Sequence, residues 1–436
     1  MEIISIKYIL IALIGGLASF LSNKSVAVYH DGLRPIVPGV LDGSMTRKDL
    51  AATSFAMSLG LVVGFGIPFS LTTSIILIHS ILLTTDIIGT SCPDTKKGTI
   101  VAVVLGAVYS ILLLVGLRFV VDAFAMLPVN ILAPLGKVGS PIISAFAAFP
   151  ALVVAYQYGA KKGLFAFLAT VILRQVTLYY GIISFGTATI KLNADGMALL
   201  VGMIIMLFFA MREKNVDGSN SNEMLLHIFG DRIKRIKKNI VYLAIMGGLI
   251  SAGSAMQIIA SDPISINLLS TGKVSEAALT TFTRSIGFIP LIATTAIATG
   301  VYSPAGLYFV FAVGLFIGNP VIAFLVGALV IVLEILMLES IAKMLDKFPG
   351  IKNCGDQIRT SMTKILEISL LVGGMIAADA MISGLGYLFV GGFYLMNKTF
   401  KKPMVDMAVG PVAAILFGVL VNIFALIGLY IPVIAK

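Results

Sequence analysis

The chain reads as an all-α polytopic membrane protein of about 11 transmembrane segments in two inverted repeats, with two re-entrant or broken-helix hairpins. Composition is the first ground. Apolar residues fill 58% of the 436 positions and charged ones 12%, with a mean hydropathy of +1.03, too little polar material to clothe a soluble surface. The second is a repetition: Gly15-Gly16-Leu17-Ala18-Ser19 returns as Gly247-Gly248-Leu249-Ile250-Ser251, 232 residues on (247 less 15). The third is a matching pair of interruptions, since Ile67-Pro68 with Thr72-Thr73 returns as Ile289-Pro290 with Thr294-Thr295, 222 residues on (290 less 68). Both offsets lie near half the chain, so one internal duplication accounts for both.

A span needs about 20 apolar residues. In the first half such runs cover 3–21, 50–66, 99–121, 141–158, 163–183 and 196–211; in the second they cover 240–260, 304–318, 320–338, 365–390 and 405–434. The first run is followed by Asn23-Lys24-Ser25-Val26-Ala27, which loosely resembles a leader cleavage region, but its match to residues 242–254 makes it the opening helix of a repeat. Segments 68–90 and 275–300 are cut by Gly, Pro and Thr. Hydrocarbon tolerates broken backbone only where protein or a cavity satisfies it, so both are expected to be re-entrant or discontinuous. The stretch 127–136, with Pro128 and Pro134, is a third irregular segment.

Three regions follow: a first membrane repeat over 1–211, a linker over 212–239, and a second repeat over 240–436. The linker holds Arg212, Lys214, Arg232, Lys234, Arg235, Lys237 and Lys238, which assigns it to the cytoplasmic side of the membrane. Inverted repeats then put the amino terminus outside, and Lys24, Arg34, Arg47 and Lys48 after the first span agree. Residues 341–365, also basic, read equally as an interfacial helix or an ordinary loop. The +10 net charge sits in short loops without aromatic interleaving, so nucleic acid is not an expected partner.

Proline frees a carbonyl four residues earlier and threonine adds a hydroxyl, so Pro68, Thr72 and Thr73 facing Pro290, Thr294, Thr295 and Thr299 would enclose a polar site in mid-membrane. The bland alternative is a pair of kinks whose threonines bond back to their own helix. Charges within apolar runs are costly and face a cavity or a partner. Asp86 is placed to bind a cation, a proton or the solute, or to cap a helix; Arg284 is placed to meet an anion. Glu334 and Arg174 are coupling or structural charges, as are His30, Asp31 and Arg34 in the hexapeptide His30-Asp31-Gly32-Leu33-Arg34-Pro35, which reads as a gate or a salt-bridged turn. The two cysteines, Cys92 and Cys354, form no ligand motif, and no P-loop, HExxH or GxSxG occurs, so neither metal, cofactor nor enzymatic activity is expected.

His30 to Ile36, Thr85-Asp86-Ile87-Ile88-Gly89, Ser140 to Pro150 and Gly287 to Tyr302 together resemble the YhfT family of bacterial inner-membrane proteins, end to end. The resemblance implies a transport system without a settled substrate. Of the residues above it carries over Thr73, Asp86, Arg174, Arg284, Thr294, Thr295 and Glu334, but not His79 or Asp379, and Asn130 stands where the family more usually has aspartate. Its plan is similar, at fold level alone, to the membrane component of the ascorbate phosphotransferase system, a homodimer with elevator-like alternation. The expected function is therefore secondary or facilitative transport of a small polar, anionic solute by an elevator-type homodimer, with a coupling cation or proton. The alternative is a phosphotransferase-type permease dependent on separate phosphorylating proteins.

Overall fold

The computed structural model describes residues 2–62, 70, 75–116, 126–139, 141, 144–145, 147–185, 188–192, 194–212, 228–306, 308–345, 355–404 and 406–431. In chain order the first half forms α1 (Glu2–Asn23), α2 (Pro38–Leu41), α3 (Arg47–Leu61), β1 (Ile76–Leu77), α4 (Ile78–Ser91), α5 (Lys96–Gly116) and α6 (Leu132–Leu135). It continues as α7 (Phe149–Tyr158), α8 (Ala160–Tyr180), the hairpin β2 (Ile182–Phe185) and β3 (Ala188–Lys191), and α9 (Ala194–Met211). Next come α10 (Ile228–Lys238), α11 (Ile240–Ala255), β4 (Ile259–Ala260), α12 (Pro263–Ser270), α13 (Val274–Thr299), α14 (Phe309–Ile317) and α15 (Pro320–Leu345). The chain closes with α16 (Gly355–Asp379), α17 (Leu385–Asn397) and α18 (Asp406–Leu426).

Among the described residues six helices are long and apolar enough to cross a bilayer: α1, α5, α8, α9, α15 and α18. They show the exposure of lipid-facing surfaces. On α5, Ile100, Val104, Val108 and Leu112 recur every fourth residue and are all exposed, while Ala102, Gly106 and Ser110 on the other face are buried. Several expected spans are corrected. Among the described residues of 304–318 the helix is the nine-residue α14, and 365–390 is divided between α16 and α17 by a turn in which Gly384 N–H donates to Asp379 Oδ1. At 1.5 Å per residue, α14 and the ten-residue α7 are too short to cross.

The chain packs into two compact units that do not follow the sequence halves. One comprises Met1–Ile142, Ile258–Ser270 and Leu366–Lys436; the other comprises Ile143–Gln257 and Thr271–Ile365. Each unit therefore joins the front of one half to the back of the other. In the first unit β1 pairs in parallel with β4, Ile76 against Ile259 and Leu77 against Ala260, and its core includes Ile11, Ile14, Leu21, Leu33, Ile36 and Phe417. In the second, Phe149, Tyr302 and Phe311 are fully buried.

The repeated letters make repeated contacts. In the first unit a Cβ on Gly89 would stand 2.6 Å from Ser19 O and 2.7 Å from Asn23 N; in the second a Cβ on Gly314 would stand 2.2 Å from Ser251 O and 2.9 Å from Ala255 N. Ser22 Oγ donates to Asp86 O at 3.2 Å, and Ser254 Oγ donates to Phe311 O at 2.8 Å. Gly106 presses on Gly15 and Ser19, as Gly327 presses on Gly247 and Ser251. Helices α1 and α11 end alike, with Ser25 and Gln257 both in the left-handed region at φ 54 and their N–H groups donating to Ser22 O and Ser254 O. The glycines are kept because these backbones approach closer than any Cβ allows. In the back elements Gly163 meets Ala155 and Gly386 meets Ala378.

Candidate functional site

The turn after α1 gathers the titratable side chains of the first unit. Leu33 N–H donates to His30 O at 2.9 Å and Gly32 N–H to His30 Nδ1 at 3.1 Å, so the imidazole ties the turn as a backbone carbonyl would. Leu33 and Ile36, both fully buried, anchor the turn against the core. Asp86, inside α4 and 2% exposed, holds the same turn: the N–H groups of Tyr29 and His30 each donate to its Oδ2 at 2.9 Å. A carboxylate taking two backbone donors is locked in place.

Arg34 has no exposed surface. Its Nη2 donates to Asp31 Oδ1, its Nη1 reaches Tyr29 O only at 3.5 Å, and its Nε has no hydrogen-bond partner among the described residues. His30 Nδ1 accepts from Gly32, so the ring's proton is on Nε2, which is buried and directed at the backbone of Met57 on α3. The backbone of α3 at Met57 lies against the His30 ring. On α3, Ser54 and Ser58 stand one helical turn apart with buried hydroxyls that lack partners among the described residues. Tyr29 O–H lies 3.4 Å from His79 Nε2, and the two rings meet edge to face at 5.1 Å between centroids. Four ionisable side chains, His30, Asp31, Arg34 and Asp86, thus meet at one turn, with Arg34 Nε unmet among the described residues.

The Pro/Thr site is corrected in its second half. Helix α13 runs unbroken through position 290, because an interior proline forfeits one helical hydrogen bond and the surrounding turns hold. Thr295 Oγ1 donates to Ile292 O at 3.1 Å and Thr299 Oγ1 to Thr295 O at 2.6 Å, the back-bonding of the bland alternative, while Thr299 Oγ1 also accepts from Val301 N–H at 3.1 Å. The break falls after α13 instead, where Gly300 at φ +69 caps it and residues 301–308 lead to the short α14. Thr294 is also buried on α13. Pro68, Thr72 and Thr73, and the side chains of Arg284 and Pro290, lie outside the described residues.

The other charges pair off in the second unit. Arg174 Nε donates to Asp195 Oδ1 at 2.7 Å and its Nη2 to Ser144 Oγ at 3.3 Å, joining α8 to α9. Tyr302 O–H donates to Glu334 Oε2 on α15. Thus His30, Asp31, Arg34 and Asp86 meet in one place in the first unit, and Arg174 and Glu334 belong to the second. Ser54, Ser58 and Tyr302 were missed from the sequence; two serines four apart in an apolar run were a legible signal for the first pair.

A family model described as YhfT, a protein of unknown function, matches residues 7–430. The chain belongs to the YhfT family. It is 36% identical over 441 residues to the uncharacterized protein YhfT of Escherichia coli (strain K12), covering 98% of this chain and 99% of that one. The YhfT resemblance read from the motifs is therefore sound over the whole length. No solved structure matches, so the likeness to the ascorbate carrier has no structural comparison behind it.

Proposed function

We propose that the chain is a membrane carrier for a small polar, anionic solute, and that the solute binds at Arg34 and His30 rather than between the Pro/Thr segments. The single observation carrying this is the fully buried guanidinium of Arg34, one side held by Asp31 and the Nε without a hydrogen-bond partner among the described residues. Leaving a buried donor unsatisfied costs about 1–3 kcal/mol, so a buried cation with an open donor favours an anionic ligand. A carboxylate or phosphate supplies the acceptors, and Ser54 and Ser58 are suited to its outer oxygens.

Two features favour a carrier built on inverted repeats. Equivalent glycine contacts relate α1, α4 and α5 to α11, α14 and α15. The basic residues, however, gather at opposite ends of the equivalent helices. At the carboxyl end of α1 stand Lys24, Arg47, Lys96 and Lys97, with Arg47 Nη2 donating to Asn23 O at 2.8 Å. At the amino end of α11 stand Arg232, Lys234, Arg235, Lys237 and Lys238 of α10, which Glu339 ties to Lys237 and Lys343 at 2.6 and 2.7 Å. If both basic ends are cytoplasmic, α1 and α11 run in opposite senses. Elevator motion needs two bodies, and the chain folds as two units.

The test is counterflow uptake by the purified full chain in liposomes, using a panel of radiolabelled small hydroxy-carboxylates, keto-carboxylates and phosphate esters. At least one is expected to be carried unmodified, with Arg34→Gln losing tenfold or more. Uptake that needs added phosphorylating proteins, or that Arg34→Gln leaves unchanged, rejects the proposal.

A further inference from the structure

The charges of the cluster do not balance. Asp31 and Asp86 carry two negative charges and Arg34 one positive. His30 Nδ1 is occupied as an acceptor for the Gly32 N–H, so the ring stays neutral unless that bond is given up. A single excess negative charge therefore stands where an anion is to bind, and in a buried setting like charges exclude one another. We infer that a proton is the co-substrate: Asp86 takes it on Oδ1 when the anion settles on Arg34 and His30, and both leave together, one proton with each monoanion. This rests on the carrier reading of the same cluster.

The geometry assigns the proton to Asp86 rather than to Asp31. Asp31 keeps the guanidinium at one oxygen and is 22% exposed as a side chain, whereas Asp86 is 2% exposed and has no side-chain ion pair among the described residues. Its Oδ2 is taken by two amide N–H groups, which leaves Oδ1 for the proton. Among the described residues no other charge near Asp86 is free to offset it. On α4 itself His79 is engaged with Tyr29, and at the end of α1 Lys24 is bound to Asp94. On α3 Arg47 donates to the carbonyls of Asn23, Gly89 and Cys92, and Asp49 holds Thr46. On α5 Tyr109 donates to Ser80 O at 2.9 Å, and Lys96 and Lys97 are exposed at its start. Proton and anion thus bind with positive coupling, and the coupling is reciprocal.

Infrared difference spectra between acid and alkaline buffer, on the full chain in liposomes of phosphatidylethanolamine and phosphatidylglycerol, test this directly. The carbonyl stretch of a protonated buried carboxyl is expected in the wild type and absent in Asp86→Asn, whose carboxamide oxygen still accepts the two N–H groups. Asp31→Asn, which removes a like charge and leaves Asp86 to balance Arg34, is expected to make the band vanish at a lower pH. A wild type without a titrating band of this kind, or one that Asp86→Asn retains, overturns the inference. For any solute of the panel that is carried, apparent affinity falls about tenfold per pH unit on the alkaline side, and Asp86→Asn flattens that dependence. Uptake that is insensitive to pH sinks proton coupling and leaves the carrier standing; the Asp86 band with no solute carried sinks the carrier and leaves the proton site.

Discussion

A guanidinium with no exposed surface is held directly by one carboxylate, and removing either partner breaks a buried ion pair. Breaking such a pair costs about 3–5 kcal/mol, less here because the Asp31 side chain keeps 22% of its exposure. Arg34→Gln and Asp31→Asn are each expected to lower the thermal midpoint, and the double variant is expected to recover part of the loss because neither member of the pair is left without the other. Uptake separates structure from binding: if Arg34 serves the solute, the double variant stays inactive while regaining stability. Recovered uptake would make the pair structural. Arg34→Lys is not expected to rescue, since an ammonium cannot hold Asp31 and present a second planar donor together. The hexapeptide from His30 to Pro35 was legible as a gate or a salt-bridged turn, and it is a turn with its ion pair. What sequence alone does not give is that Asp86, more than fifty positions away, closes on that turn through backbone donors, because main-chain hydrogen bonds leave no mark on residue type.

Close helix contacts set the front of each half. A methyl on Gly89 or Gly314 would meet backbone at 2.6 and 2.2 Å, so Gly89→Ala and Gly314→Ala are each expected to destabilise by about 1–3 kcal/mol or prevent folding. Gly392, in α17 with nothing within 4 Å of its added Cβ, is the control: Gly392→Ala is expected to be neutral or to stabilise by up to about 1 kcal/mol. Thermal unfolding in detergent followed by circular dichroism decides between them, and equal effects at all three positions would refute the packing argument. These elements also show what the sequence yields. Helices α1, α5, α8, α9, α15 and α18 were visible because an apolar run of about 20 residues has one use in a bilayer. The break in the second half was expected at 275–300 and falls at 301–308, because proline and threonine are punctuation only when tertiary packing does not override them. The left-handed Gly300 that ends α13 was the better signal.

At the scale of the molecule, the proposed inverted carrier predicts that the loops after α1 and α11 face opposite sides of the membrane. Ser44 lies beyond α2 and is exposed, and it shares the end of α1 where Arg47 reaches Asn23 O. Ser270 closes α12 and is exposed, in the second-half loop equivalent to the one that holds Ser44. Helix α13, which follows it, runs to the basic linker helix, where Arg232 donates to Ala298 O. Ser270 is therefore at the end of α13 away from the basic residues. In a Cys92→Ser, Cys354→Ser background, Ser44→Cys is expected to be reached by a membrane-impermeant maleimide only after the cells are broken, and Ser270→Cys in intact cells whose outer membrane is opened. Labelling of both from one side would reject the inversion, and with it any carrier scheme in which the two halves exchange roles as the solute crosses.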